Sequence, residues 1–137
     1  MASWDDVSRL ALALPETSVR DGSTSQWRVK DKLFVWERPL RAKDLEALGL
    51  DEQPGPVLGV RTADLGEKAA LIAQDPDVYF TTPHFDNYSA VLVRLDRIDV
   101  AGLDELVEQA WLSRAPKRVV AQYLAEHGIA QQRRVDG

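Results

Sequence analysis

The chain has 137 residues, of which 45% are hydrophobic and 28% charged, as expected for one soluble globular domain rather than a disordered or fibrous chain. The absence of cysteine excludes disulfide bonds, thiolate nucleophiles and cysteine-ligated metals, and a net charge of −5 disfavours attraction of the whole surface to nucleic acid. Residues 1–14 carry charges where a signal peptide needs an apolar block, and no apolar run could span a membrane, so we expect a cytoplasmic protein with no membrane partner.

The first half of the chain alternates predicted helices with strands. Ser3 suits the N-cap of a first helix and Pro15 stops it, whereas Pro39 ends a strand and Gly49 suits the position just past a helix. The predicted elements are a helix at 4–14, a polar loop at 17–25, strands at 27–29 and 33–36 joined by a tight turn at 30–32, a helix at 40–48 and a strand at 57–60.

The second half ends in helices. The predicted elements are a helix from Asp64 to 75–76, strands at 78–80 and 90–95 joined by a loop at 81–89, a helix with an apolar stripe at 103–111 and a last helix from Pro116 to Gly128. The apolar face of the helix after Asp64 is predicted to comprise Leu65, Ala69, Ile72 and Ala73. This order predicts a single α+β domain over 1–128, with a largely antiparallel sheet packed by helices, and a polar tail at 129–137.

The charge is distributed unevenly along this predicted domain. Segment 28–43 has six bases against two acids and segment 111–134 has five against one, so each sums to +4. The segment between them, 44–108, has four bases against fourteen acids and sums to −10. If the fold brings the two basic segments together, an acidic protein can still have a locally positive face.

Motifs for catalysis and metal binding are missing. Only His84 and His127 could act as imidazole bases, and His127 stands at a predicted helix end, where a cation complements the last carbonyls. His84 lies in a loop with Asp86 within reach, but no serine elbow, metal-ligand spacing or phosphate loop accompanies it. We therefore expect no enzyme, no catalytic residue, no cofactor and no metal site.

Three cations gather where the last two helices meet. Lys117 and Arg118 lie in the first turn of a helix, where acids are usual, and Arg114 ends the preceding helix. Exposed amides and cations together favour a phosphate or carboxylate site. Neutralisation by Glu105 or Glu108 within the fold explains the pattern equally well, and the sequence leaves both alternatives open.

Several segments resemble the MmcQ/YjbR family over nearly the whole chain, from the first helix to Arg118. The matching segments are 15–16, 27–34, 75–80, 82–85, 91–95 and 110–118. Thr-Pro-His at 82–84 and Ala-Pro-Lys-Arg at 115–118 are the most specific, and 40–56 is longer than the family's usual connection. The resemblance implies a CyaY-like, double-wing α+β fold. Members are commonly labelled DNA-binding because the fold is similar to the DNA-binding domain of a phage transcription factor.

Two functional hypotheses follow, and a third ranks last. The first is a DNA-binding module whose wings are the hairpin at 27–36 and the loop at 81–89. Its predicted phosphate contacts are Arg28, Lys30, Lys32, Arg114, Lys117 and Arg118. The third hypothesis, which ranks last, is that the acidic segment 44–108 binds iron, by analogy with frataxin-like folds. It ranks last because the acids of this segment are not contiguous.

The second hypothesis is a module that binds a small anionic ligand or a protein partner at the Thr-Pro-His loop. Its predicted ligand-binding residues are Thr82, Pro83, His84 and Tyr88. Trp27 and Trp36 could also line an apolar site, but we expect them in the core, where most tryptophans are largely buried.

Overall fold

The computed structural model describes the backbone of residues 2–136 and the side chains of residues 2–127. Within that part of the chain, five α-helices and six strands follow one another, with two short 3-10 turns at Pro83–Phe85 and Leu95–Arg97. In chain order the elements are α1 Trp4–Leu12, β1 Thr17–Asp21, β2 Ser25–Val29, β3 Lys32–Glu37, α2 Ala42–Leu48, β4 Val57–Arg61, α3 Leu65–Gln74, β5 Tyr79–Phe80, β6 Ala90–Arg94, α4 Val100–Arg114 and α5 Lys117–Asp136.

The strands form one antiparallel sheet in the order β1-β2-β3-β4-β6-β5. Side chains alternate between its two faces, so Val91 and Val93 belong to one apolar cluster whereas Ala90 and Leu92 belong to the other. Helices α1 and α4 cover the first face, and α2 with the turn at Pro83–Phe85 covers the second. The predicted α+β class with an antiparallel sheet is confirmed.

Gly59 makes room for the aromatic centre of the second face. It is the register partner of Trp36 on the neighbouring strand, and a β-carbon at position 59 would overlap the indole ring. Trp36 in turn lies 6.4 Å, centroid to centroid, from the ring of Phe85 in the 3-10 turn. This packing sets the turn on the second face of the sheet.

Two predicted boundaries are wrong. Segment 17–25 is not all loop, because β1 pairs with β2 along its whole length from Thr17 to Asp21. Four of the five residues of β1 are exposed, so this edge strand lacks the alternation of apolar and polar residues from which a strand is predicted. The last helix does not end at Gly128 but continues to Asp136, since a helix interior tolerates a single glycine at a cost of about 1 kcal/mol.

The buried face of α3 also differs from the prediction. Leu65 is 46% exposed, and Ala69 and Ala73 are exposed, whereas Ile72 is partly buried against the core as predicted. The side chain that this helix buries most completely is Lys68. By contrast, the stripe predicted for α4 is confirmed, because Leu103, Leu106, Val107, Ala110 and Trp111 are all buried.

Candidate functional site

A cavity of about 530 Å³ lies between the start of α2 and the turn at Pro83–Phe85. Its lining residues are Arg38, Arg41, Ala42, Lys43, Asp44, Pro83 and His84, and we call it the α2 pocket. Small-molecule sites commonly have volumes of this size. One wall therefore comes from the segment 40–56, to which the sequence assigned no role, and the other from the Thr-Pro-His loop.

A buried ion pair forms the rigid part of the α2 pocket. The Arg38 guanidinium donates through Nη2 to Oδ2 of Asp44 at 3.1 Å, donates through Nη1 to the carbonyl of Pro39 and lies 5.3 Å from the centre of the Phe85 ring. The same Asp44 oxygen accepts the backbone N–H of Arg41 at 2.9 Å. These contacts hold Arg38 in a single orientation at the start of α2.

Asp44 keeps its negative charge in this buried position. Burial by itself raises the pKa of the Asp44 carboxyl, but the Arg41 amide, the Arg38 charge and the nearby Thr82 hydroxyl together bring the pKa below its ordinary value. The charges of Asp44 and Arg38 thus offset each other within the pocket wall.

The remaining polar side chains at the mouth of the pocket are free to meet a ligand. Arg41, Lys43 and His84 are all exposed. Among the side chains of residues 2–127, the ion pairs use only Arg9, Lys30 and Arg38 as their cations. The pocket therefore has available positive charge at its mouth and neutralised charge in its wall.

A buried lysine holds the other wall of the pocket in place. The Lys68 ammonium, on α3, donates to the carbonyl oxygen of Phe85 and, at 3.0 Å, to that of Tyr88. Burial lowers the pKa of Lys68, and the nearby Asp86 charge opposes this effect. Because Lys68 fixes the backbone next to His84, it determines where the imidazole meets the pocket.

The structure divides the predicted ligand-binding residues. Pro83 and His84 line the α2 pocket, and the His84 ring stands at 84° to the Phe85 ring, 4.8 Å away. Thr82 is buried behind them at 1% exposure. Tyr88 is 49% exposed and is not part of the lining, since its ring lies 4.7 Å from the guanidinium of Arg61 instead.

The elements that carry the predicted phosphate-binding cations contact the segment Pro15–Glu16 from two sides. On one side, the turn of the β2–β3 hairpin has positive φ at Lys30 (49°) and Asp31 (67°), as in the two-residue turns that join twisted strands. Its Lys30 amide donates to the Glu16 carbonyl at 3.1 Å, and the Lys30 ammonium lies 3.4 Å from the Glu16 carboxylate. The hairpin tip is thereby attached to Pro15–Glu16.

The junction of α4 and α5 reaches the same segment from another direction. The Trp111 indole donates to the Pro15 carbonyl at 3.0 Å, and Val119 and Tyr123 share a cavity of about 200 Å³ with Pro15 and Glu16. We call the region that carries Arg28, Lys30, Lys32, Arg114, Lys117 and Arg118 the basic end. The two basic segments of the sequence do meet there.

Neither Glu105 nor Glu108 pairs with the α4–α5 cations among the ion pairs of residues 2–127. Glu108 accepts the Tyr123 hydroxyl at 2.6 Å, and this contact together with burial raises the pKa of Tyr123. Within residues 2–127, neither Lys117 nor Arg118 forms an ion pair, and both are exposed. Of the two alternatives that the sequence left open, direct pairing with Glu105 or Glu108 is thus not observed.

Sequence reasoning missed the residues that build the α2 pocket. Arg38 and Asp44 lie on either side of Pro39, and the sequence does not show that their side chains meet. Lys68 is a polar residue of α3, and its burial depends on tertiary packing. One local signal was available: Asp44 follows Arg41 by three residues, the spacing at which an acid accepts the first amide of a helix.

The described part of the chain has neither a candidate metal cluster nor a helix that could span a membrane. Among its side chains, no three histidines or carboxylates are grouped to hold a metal ion, and the acidic segment offers no such cluster for iron. None of its helices combines the length and the apolar character needed to cross a bilayer.

These features define a single-domain α+β protein with an antiparallel sheet and two separate groups of cations. The chain belongs to the YjbR family, whose model matches residues 12–113. It is 53% identical over 131 residues to the uncharacterized proteins Rv2570 of Mycobacterium tuberculosis and Mb2600 of Mycobacterium bovis, covering 93% of this chain and 100% of each relative. The predicted family is confirmed.

A solved structure shares the fold. The crystal structure of the Deinococcus radiodurans protein DR2400, a DUF419 domain, superposes with a TM-score of 0.60 at 19% identity, over 82% of this chain and 78% of that one. This similarity supports the architecture described above, and function has to be argued from the two groups of cations.

Proposed function

We propose that this protein is a binding module that holds a small anionic ligand in the α2 pocket. The observation that carries this function is the convergence of Arg41, Lys43 and His84, all exposed, on one cavity whose wall is fixed by the Arg38–Asp44 pair. Unpaired cations at the mouth attract an anion, and the fixed wall orients it without a large ordering cost. The carboxylate of a protein partner would use the same cations.

Binding is favoured over catalysis by the chemistry of the lining. The seven lining residues contain no hydroxyl or thiol nucleophile, and the His84 imidazole packs edge-on against Phe85. A nucleophile, a base and an orienting group in mutual reach are the minimum for acyl-transfer chemistry. We therefore propose recognition without turnover.

The test is a calorimetric titration of the full chain with inorganic phosphate and with benzoate, the two simplest probes of phosphate and carboxylate chemistry. The double variant Arg41→Gln/Lys43→Gln should bind the tighter-binding probe at least about tenfold more weakly. A tenfold loss of affinity corresponds to about 1.4 kcal/mol, which the loss of two charge-assisted hydrogen bonds can account for. The matched variant Lys117→Gln/Arg118→Gln should bind like wild type. Equal affinities in all three proteins, or no binding to wild type, would contradict the proposed function.

A second candidate function, DNA binding, is favoured by the meeting of two chain-distant basic segments at Pro15–Glu16. Exposed Lys32, Lys117 and Arg118 could contact phosphates along one duplex, with affinity that falls steeply as salt rises. The acidic Glu16 stands among these cations and reduces the local charge, so we rank DNA after the small ligand.

DNA binding is tested with a mixed-sequence duplex titrated at low and moderate salt. Lys32→Gln/Lys117→Gln/Arg118→Gln should weaken binding and flatten its salt dependence, whereas Arg41→Gln/Lys43→Gln should leave both unchanged. Absence of binding by micromolar wild-type protein at low salt rules this function out.

A further inference from the structure

The geometry points to a monocarboxylate with an apolar, preferably aromatic, body as the ligand of the α2 pocket. This inference rests on the proposed function of the same pocket and adds the chemical class of the anion. Three features of the lining support it: the number of cations available, the charge in the wall and the apolar surface beside them.

The first feature is that two cations remain for the anion. Arg38 already donates to Asp44 and to the Pro39 carbonyl, and its face lies on the Phe85 ring. The positive charges left at the mouth are those of Arg41, the residue just before α2, and of Lys43, in the first turn of α2. Two single contacts fit the two oxygens of one carboxylate.

The second feature is the ionised carboxylate in the wall. Asp44 lines the pocket, is 5% exposed and accepts from Arg38 and from the Arg41 amide through one oxygen. Because the Arg38 charge offsets that of Asp44, the wall adds no net positive charge that could balance a second negative charge on the ligand. A monoanion is therefore favoured over a dianion such as phosphate.

The third feature is the apolar surface that the cations leave uncovered. Ala42 faces the pocket from α2, Pro83 faces it from the opposite wall, and the His84 ring is held upright there by its contact with Phe85. A phosphate ion would leave these groups in contact with water. An aryl or alkyl body would cover them, and burying apolar surface adds affinity.

The test is an NMR titration of the full-length protein, in which the backbone amides of 41–44 and 83–85 report binding. Three probes are compared at pH 8: benzoate, inorganic phosphate, which is mainly a dianion at this pH, and benzyl alcohol, which has the same ring without the charge. We expect benzoate to bind at least about tenfold more tightly than either of the others. In Arg41→Gln/Lys43→Gln the benzoate affinity should fall to that of benzyl alcohol, while Lys117→Gln/Arg118→Gln should match wild type.

Each other outcome is decisive. Phosphate that binds as tightly as benzoate overturns the monocarboxylate class and leaves the proposed function standing. Benzyl alcohol that binds as tightly as benzoate shows that charge is not recognised, which overturns both. If none of the three probes shifts these amides, the proposed function itself is wrong. Asp44→Asn, once circular dichroism shows that the variant is folded, adds a check. It should narrow the preference for benzoate over phosphate, because the buried Arg38 charge then lacks its partner; an unchanged preference would remove Asp44 from the explanation.

Discussion

The α2 pocket and the basic end both gather cations, but their cations are supported differently. In the pocket, Arg38 is buried, paired with buried Asp44 and stacked on Phe85. At the basic end, Lys30 meets Glu16 in an exposed pair, Lys32, Lys117 and Arg118 are exposed, and Arg28 and Arg114 are half-buried. Fixed charges can select a ligand of defined shape, whereas exposed ones provide attraction that is diffuse and screened by salt. Burial of the supporting groups, more than the number of cations, separates the two regions.

The largest expected difference between the regions is in stability. Asp44→Asn leaves the Arg38 charge buried without its partner, so it should lower the free energy of unfolding by about 3 kcal/mol. Glu16→Gln breaks only an exposed pair and should cost less than about 1 kcal/mol. Urea denaturation of the two variants measures both values. Similar losses in the two would show that the Arg38–Asp44 pair is no more important to the fold than a surface contact.

The next largest effect is expected at Lys68. In Lys68→Met the carbonyl oxygens of Phe85 and Tyr88 lose their buried donor, which should cost about 2 kcal/mol and loosen the turn that carries His84. Benzoate binding should weaken while any binding of DNA stays unchanged. Lys117→Met, an exposed substitution of the same kind, is the control. A folded Lys68→Met protein with wild-type benzoate affinity would separate Lys68 from the pocket.

A smaller effect is expected from acid. The pKa of Asp44 is lower in the folded protein than in the unfolded chain, so its contribution is complete above the unfolded pKa of about 3.9 and is lost as the pH falls through the folded pKa. The difference in unfolding free energy between wild type and Asp44→Asn should therefore be constant from pH 5 to 7 and shrink below about pH 4. A difference that grows on acidification would reverse this sign.

The smallest expected effect is at the basic end. Glu16→Gln frees the Lys30 ammonium, 3.4 Å away, and removes one negative charge from among the cations. If DNA binds there, affinity at low salt should rise by about threefold and the salt dependence should steepen. Arg9→Gln, at an exposed pair elsewhere, controls for charge changes on the surface. An unchanged affinity would place the duplex away from Pro15–Glu16.

Local patterns predicted much of the fold and little of the pocket. The stripe of α4 and the left-handed Gly49 after α2, with φ 71°, depend on neighbours in the sequence and were predicted correctly. Strand β1 was missed because an exposed edge has no apolar alternation. The Lys68 contacts join residues 17 and 20 positions apart through tertiary packing, for which spacing along the chain gives no signal. The Arg38–Asp44 pair spans only six residues, and its local signal is the helix-capping position of Asp44.

The site was harder to predict than the family. Thr-Pro-His at 82–84 lies in the loop that forms one wall of the α2 pocket, but the other wall comes from 40–56, to which the sequence assigned no role. Gln53 ties that segment down by donating to the Leu40 carbonyl and accepting the Leu40 amide at 3.2 Å. The helix within this segment was predicted from its spacing, but its position against the sheet depends on such contacts, which the sequence does not indicate.

The most direct test of the central claim is a crystal structure of the full chain soaked with 4-bromobenzoate, in which anomalous scattering locates the bromine. We predict a bromine peak inside the α2 pocket, with the carboxylate against Arg41 and Lys43 and the ring against Pro83. A bromine peak at the basic end would contradict the assignment of this cavity as the anion site. So would an α2 pocket that stays empty at saturating ligand although no neighbouring molecule in the crystal blocks its mouth.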